Sequence, residues 1–168
     1  MRLSDLPTGV SVGVDANVFI LHFCGRSREC TGFLRRVEAR EVRAVTTHEI
    51  LAEVLHRLMV LEALEGGSVS GRNPARSLRE KPEVVRALHR YYDDTSAIQA
   101  MGVRLLPPVG NSLEASHRFR REAGLLTNDS LFAATLVENG IGVIVTGDRD
   151  FLRVDGLDVA LVNDQGGA

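Results

Sequence analysis

Four carboxylates lie far apart in this 168-residue chain, three of them near a place where a strand ends or a helix begins. Asp15 follows the apolar run 10–14, Asp129 lies in the segment Thr-Asn-Asp-Ser at 127–130, Asp148 sits in the turn after the β-branched run 141–145, and Glu53 falls inside a long apolar-periodic stretch. If they met in one cleft they would repel one another by several kcal/mol at an effective dielectric near ~20, so protons, arginines or a divalent cation would have to neutralise them. All-oxygen surroundings without His or Cys favour Mg²⁺ or Mn²⁺ over zinc. The five histidines do not supply a zinc site. His22 and His117 are isolated, His48 precedes Glu49, and His56 and His89 sit within helical stretches.

A carboxylate-bound Mg²⁺ pair activates water and holds a phosphodiester for in-line displacement. Hydrolysis of a nucleic-acid backbone is therefore the reaction these residues suit. In that scheme Asp15 is the central ligand, Asp129 and Asp148 complete the coordination, and Glu53 binds metal or orients the water. Asn17 and Thr146 either hydrogen-bond a phosphate or orient a carboxylate, with a purely structural capping role as the alternative. Asp150 is a further acid near the site or a turn former.

The elements that must position these acids can be read from periodicity. The segment 10–14 reads as a short buried strand. A short amphipathic helix over 31–40 follows, then a strand over 43–45. Thr46 with Glu49 makes a capping box that opens a helix running to about Leu64. On its wheel Ile50, Leu51, Val54, Leu55, Leu58 and Leu61 fill one arc of about 140°; Glu53 lies about 60° outside it and Glu49 about 100°. Glu53 thus faces the border between core and cleft, with a solvated surface position as the alternative. One helix is expected over 83–101, with Val84, Val85, Leu88, Tyr92 and Ile98 buried. A strand over 103–106 ends at Pro107 and Pro108. Asn111 with Glu114 caps a helix that stops at Gly124, and a last strand covers 157–162, before a frayed tail over 163–168.

Between these, the helix opened by the 127–130 segment stops at Gly140. About 11 helical residues at 1.5 Å each descend roughly 16 Å, and about five strand residues at ~3.3 Å climb back as far. Asp129 and Asp148 then return to one edge. Strands alternating with helices imply an α/β fold with a mainly parallel sheet covered on both faces. Right-handed crossovers place every strand-to-helix junction on the carboxyl edge, where ligands bind.

Composition narrows the setting. With 44% hydrophobic and 25% charged residues the chain reads as an ordinary globular protein, one domain over 1–168. It carries a flexible polar insertion at about 66–82, rich in Gly, Ser, Pro and Arg. No apolar stretch approaches the ~18 residues of a membrane span, so the expected compartment is cytoplasmic. Cys24 and Cys30 read as reduced thiols. The formal charge of −2 excludes a generically basic nucleic-acid binder, yet Lys81 is the sole lysine and the other cations are arginines, which suit bidentate phosphate contact. Arg118, Arg121 and Arg149 are the candidates for contact with a nucleic-acid backbone.

The segments VDANVFI at Asp15, TTHEILAEVLHRL with Glu53, NDSLFAATLVENG with Asp129 and IVTGDRDF with Asp148 together resemble the PIN-domain family. Within it they are similar to the VapC-like toxins of bacterial and archaeal toxin–antitoxin pairs. The resemblance implies a three-layer α/β/α sandwich and a Mg²⁺- or Mn²⁺-dependent ribonuclease acting on single-stranded or looped RNA. It also implies a homodimer and neutralisation by a small antitoxin. It carries family roles to Asp15, Glu53, Asp129 and Asp148, with Asn17 and Thr146 in support. The 66–82 insertion departs from the compact toxins. An RNA-processing or ribosome-maturation factor, or a PIN fold kept only to bind RNA, are the alternatives. A phosphotransfer reading of Asp15 fits less well: haloacid-dehalogenase-like phosphatases place an Asp where this chain has Asn17, and want a lysine near the site.

Overall fold

A computed structural model describes residues 1–108 and 110–162. After a 3-10 turn at Leu3–Asp5, the chain runs β1 (Ser11–Val14), α1 (Ala16–Phe23), α2 (Arg28–Glu38), β2 (Arg43–Thr47) and α3 (His48–Glu65). It continues through α4 (Pro74–Arg79), α5 (Pro82–Ala87), α6 (Arg90–Ala100), β3 (Arg104–Leu106), α7 (Ser112–Ala123) and α8 (Thr127–Glu138). The last elements are β4 (Val143–Thr146), a 3-10 turn at Arg149–Arg153 and β5 (Asp158–Leu161).

The five strands form one parallel sheet in the order β3-β2-β1-β4-β5. The chain steps from β1 outward to β2 and β3, then returns past β1 to β4 and β5. With right-handed crossovers this reversal puts α1–α6 on one face and α7 and α8 on the other, the three-layer α/β/α arrangement. It also creates a topological switch point between β1 and β4. In open parallel sheets the crevice at that point, beyond the carboxyl ends of the strands, is where ligands bind.

The strands are short and almost wholly buried because both faces are covered. Val12, Val14, Ile144 and Val145 are buried with Phe19, Ile50, Phe132, Leu136 and Phe151. Each such side chain contributes about 1.5–3 kcal/mol through burial. Gly13 lets α8 pack close: a Cβ there would stand 2.4 Å from Leu136 Cδ1, so any larger residue forces that buried side chain to move.

Several local expectations are corrected. Thr46 does not cap α3; it ends up inside β2, where its hydroxyl donates to the Val14 carbonyl at 3.0 Å, and Thr47 is the cap residue without a side-chain cap bond. Asn111 precedes α7 and makes no side-chain cap bond, while Gly124 ends the helix in the left-handed region as expected. Leu126, not the polar run after it, precedes α8, and Thr127 already lies in the first turn. The helix expected over 83–101 breaks at Leu88, whose backbone is extended. The break is stabilised from a distance: the Glu62 carboxylate of α3 accepts the N–H groups of His89, Arg90 and Tyr91 and satisfies the start of α6. The break leaves Tyr92 exposed, and Tyr91 packs against the core instead.

The stretch 66–82 carries α4 rather than an irregular loop. Asn73 Oδ1 accepts from Arg76 N–H, Pro74 occupies the first turn, and Leu78 is buried with Val69 and Ala63 in a small second cluster. The tail at 163–168 lies outside the described residues.

Candidate active site

The switch-point crevice is built on Asp15. It closes β1 and caps α1, its Oδ1 accepting from Ala16 N–H at 2.6 Å. Its Oδ2 accepts from Asn17 Nδ2 and from the Thr146 hydroxyl, each at 2.6 Å. Thr146 closes β4, and its oxygen in turn accepts from Asp148 N–H at 2.9 Å. Asn17 Oδ1 accepts from Gly147 N–H at 2.8 Å, and the Asp15 amide donates to the Val145 carbonyl at 3.1 Å. The ends of β1 and β4 are thereby clamped together, and Asn17 and Thr146 orient Asp15 and the loop bearing Asp148.

Thr146 is fully buried, so removing its hydroxyl leaves Asp15 short of a donor and Asp148 N–H short of an acceptor. Thr146→Val is expected to cost about 1–3 kcal/mol. Urea unfolding should show the loss, and T146S should recover most of it; equal midpoints for all three proteins would contradict the clamp.

The acids sense one another. Asp15 is only 5% exposed, and its carboxyl is pushed up to about 6. Burial is the main cause; the bonds from Thr146 and Ala16 oppose it, and the charges of Glu53 and Asp129 add to it. Asp129 is also pushed upward, by burial first and then by Asp148, Glu53 and Asp150. The dipole at the N-terminus of α8 favours the ionised form, yet burial and the neighbouring acids outweigh it. Ser130, next to Asp129, is fixed by accepting from Arg120 Nη1 at 2.8 Å, which pins α8 to α7.

Among the described residues, no three His, Cys, Asp or Glu side chains converge on one point closely enough to cage a metal ion. The donor chemistry nevertheless fits Mg²⁺ or Mn²⁺, since every acid presents oxygen and Asp15 and Asp129 are crowded by like charge. Mg²⁺ keeps several of its waters and binds through one or two carboxylates plus substrate phosphate, so a closed protein cage is not what it needs.

The other sequence candidates fall into place around this core. Glu53 lies within the range of Asp15 and Asp129 and is touched by Arg57 at 3.4 Å, one helical turn on. That pair is largely exposed and worth little, so it leaves Glu53 available. Asp150 is exposed and paired with Arg153 at 3.0 Å. It donates its N–H to Asp148 Oδ1, so it acts as a turn former whose charge still reaches Asp129. Arg149 follows Asp148 and is exposed. Arg118 and Arg121 are exposed on α7, Arg118 lying over the Phe119 ring and near Glu122.

Sequence reading passed over Arg26 and Arg57, and set His56 aside as a helix histidine. They line a cavity of about 670 Å³ together with Asn17, Gly147 and Asp148 of the acidic site. Arg57 was visible as the residue one turn beyond Glu53; Arg26 carries no local signal. Thr47, at the same edge on β2, has a buried hydroxyl without a hydrogen-bond partner.

None of the curated proteins matches the sequence. A chain of the crystal structure of VapBC2 from Rickettsia felis bound to a DNA fragment from their promoter shares the fold, with a TM-score of 0.60. It is 12% identical and is matched over 90% of this chain and 98% of its own length. The PIN domain family matches residues 12–157, which takes in Asp15, Glu53, Asp129 and Asp148. This protein therefore belongs to the PIN domain family.

Proposed function

We propose that this protein is a divalent-metal-dependent endoribonuclease, the toxin of a toxin–antitoxin pair, working as a homodimer that a small antitoxin silences. The observation that carries the catalytic part is the buried Asp15 at the switch point, with its pKa raised to about 6 by burial and by Glu53 and Asp129. A chain gains nothing in stability by burying a carboxylate among other acids. Such an arrangement makes sense as a cation site. The toxin role draws on the fold likeness to VapBC2 and on the four motifs together.

In this reading Asp15, Asp129 and Asp148 hold Mg²⁺ or Mn²⁺. The bound ion supplies charge neutralisation for the acids and for the phosphodiester being displaced. Thr146 and Asn17 keep Asp15 aimed into the crevice, and the Ala16 amide fixes its other oxygen. Glu53, half-exposed on α3, orients the attacking water and accepts its proton. Exposed arginines, Arg149 next to Asp148 in the chain and Arg118 and Arg121 on α7, meet the RNA backbone.

The test is direct. Purified protein free of any inhibitor is incubated with unstructured RNA and Mn²⁺, then with EDTA added. Cleavage that appears with the ion and stops with the chelator is expected. RNA left intact in Mn²⁺ and in Mg²⁺ would remove the catalytic reading and leave an RNA-binding module.

A further inference from the structure

The cavity of about 670 Å³ beside the acids is larger than a single scissile phosphate requires, and its walls differ from the acidic site. One wall is α1, with Asn17, Ile20 and Leu21; another is α3, with His56, Arg57, Val60 and Leu61. Ala75 of α4 closes a side, Arg26 stands at the rim, and Asp148 and Gly147 border the acids. The cavity is thus apolar within, cationic at its rim, and continuous with the acids through Asn17, Asp148 and the Arg57–Glu53 contact. Along α3 it extends eight residues beyond Glu53, about 12 Å.

We infer that this cavity is a subsite for one nucleotide of the RNA strand flanking the cut, and that α4 of the 66–82 stretch makes it selective for the base. This rests on the ribonuclease reading. A phosphate strand with its bases turned out supplies an anion for Arg26 and for Arg57, whose contact with Glu53 is weak and exposed, and a flat apolar face for Ile20, Leu21, Val60 and Leu61. Unstacked bases are read in this way, in pockets and against guanidinium planes. The volume lies within the ~300–1,000 Å³ of small-ligand sites. Arg57 exchanges its weak Glu53 contact for the incoming phosphate as the strand docks. Ala75, small and half-buried in α4, sets how much room the base has.

The test uses the full chain carrying Asp15→Asn, which is expected to hold RNA without cutting it, with Mn²⁺ present and short labelled homopolymeric RNA strands as probes. The protein is expected to rank the four homopolymers, and Ala75→Trp in this background to weaken the preferred one by roughly tenfold and level the ranking. Arg26→Ala, at an exposed position, is expected to weaken all four alike and to lower the slope of affinity against salt by about one phosphate contact. Affinities and ranking unchanged by Ala75→Trp, with the protein folded by circular dichroism, would overturn the subsite and leave the cavity to another occupant such as a peptide. If wild type cuts no RNA while both variants shift binding as described, the subsite stands and the catalytic reading falls. If wild type cuts RNA and neither variant changes binding, the subsite falls alone.

Discussion

Asp15→Asn is expected to abolish RNA cleavage, by roughly 10³-fold or more, the scale on which losing a central member of a catalytic unit acts. The same change should alter how stability depends on pH. In the folded protein the Asp15 carboxyl titrates at about 6, against 3.8 for an unperturbed aspartate. The native state therefore holds this proton more tightly than the unfolded chain, and wild-type stability falls as pH rises through the window from about 4 to about 6. The raised pKa corresponds to a loss on the order of 3 kcal/mol by neutral pH. Asparagine does not titrate and escapes that loss.

A second effect runs the other way. Asp15 accepts from Ala16, Asn17 and Thr146, so an amide NH₂ must face at least one donor, at a cost of about 1–3 kcal/mol. The variant should therefore be the less stable protein at pH 4 and should draw level with or pass wild type at pH 7.5. Urea unfolding at the two pH values gives the difference. A gap that does not change with pH would mean that the Asp15 carboxyl is not raised, either by its burial or by the neighbouring acids. Mn²⁺ in hundredfold excess over its dissociation constant should restore about 2.7 kcal/mol to wild type at pH 7.5 and little to the variant. That arm separates a cation site from a strained acidic cluster.

The acids were legible because each follows a local rule. Asp15 directly follows a buried apolar run, Asp148 sits in the turn after another, Asp129 lies in a helix opening, and parallel topology delivers all such junctions to one edge. Glu53 was legible from the wheel, since α3 does bury Ile50, Val54 and Leu58. What escaped depended on distant partners. Thr46 has the sequence of a helix cap, but the Val14 carbonyl across the sheet takes its hydroxyl. The break between α5 and α6 is stabilised by Glu62, 27 residues before His89, and nothing near Leu88 announces it. The helix at 74–79 has a single buried anchor, Leu78, too few to make a period, and it forms against a patch supplied by α3 and Val69. Arg26 and Arg57 became site candidates only when α1 and α3 were seen to enclose a cavity.

Phe151→Ala should be the most damaging of the changes to stability. Phe151 is fully buried and lies three residues after Asp148; Phe132 is fully buried and lies three after Asp129, one turn down the same helix. The two rings meet edge to face, with centroids 6.4 Å apart at 87°. This aromatic pair underlies the two acids and couples α8 to the turn after β4. Truncating Phe151 removes its burial and leaves a cavity, at about 3–5 kcal/mol. For a domain of this size each kcal/mol lowers Tm by about 2–4 °C, so a fall on the order of 10 °C or more is expected by calorimetry. The functional effect should outlast the loss of stability. Well below the new Tm, where the chain is folded, the Asp148 turn has lost its anchor, and Mn²⁺ should stabilise Phe151→Ala less than wild type. Phe151→Leu, which refills most of the space, should recover the metal response along with the Tm. The double variant with Phe132→Ala should lose less than the sum of the two single changes, by about 0.5–1.5 kcal/mol, the size of the ring–ring interaction. Strict additivity, or a full metal response in Phe151→Ala, would mean that the separation of Asp129 and Asp148 is set by the backbone clamp at Thr146 and not by the rings beneath them.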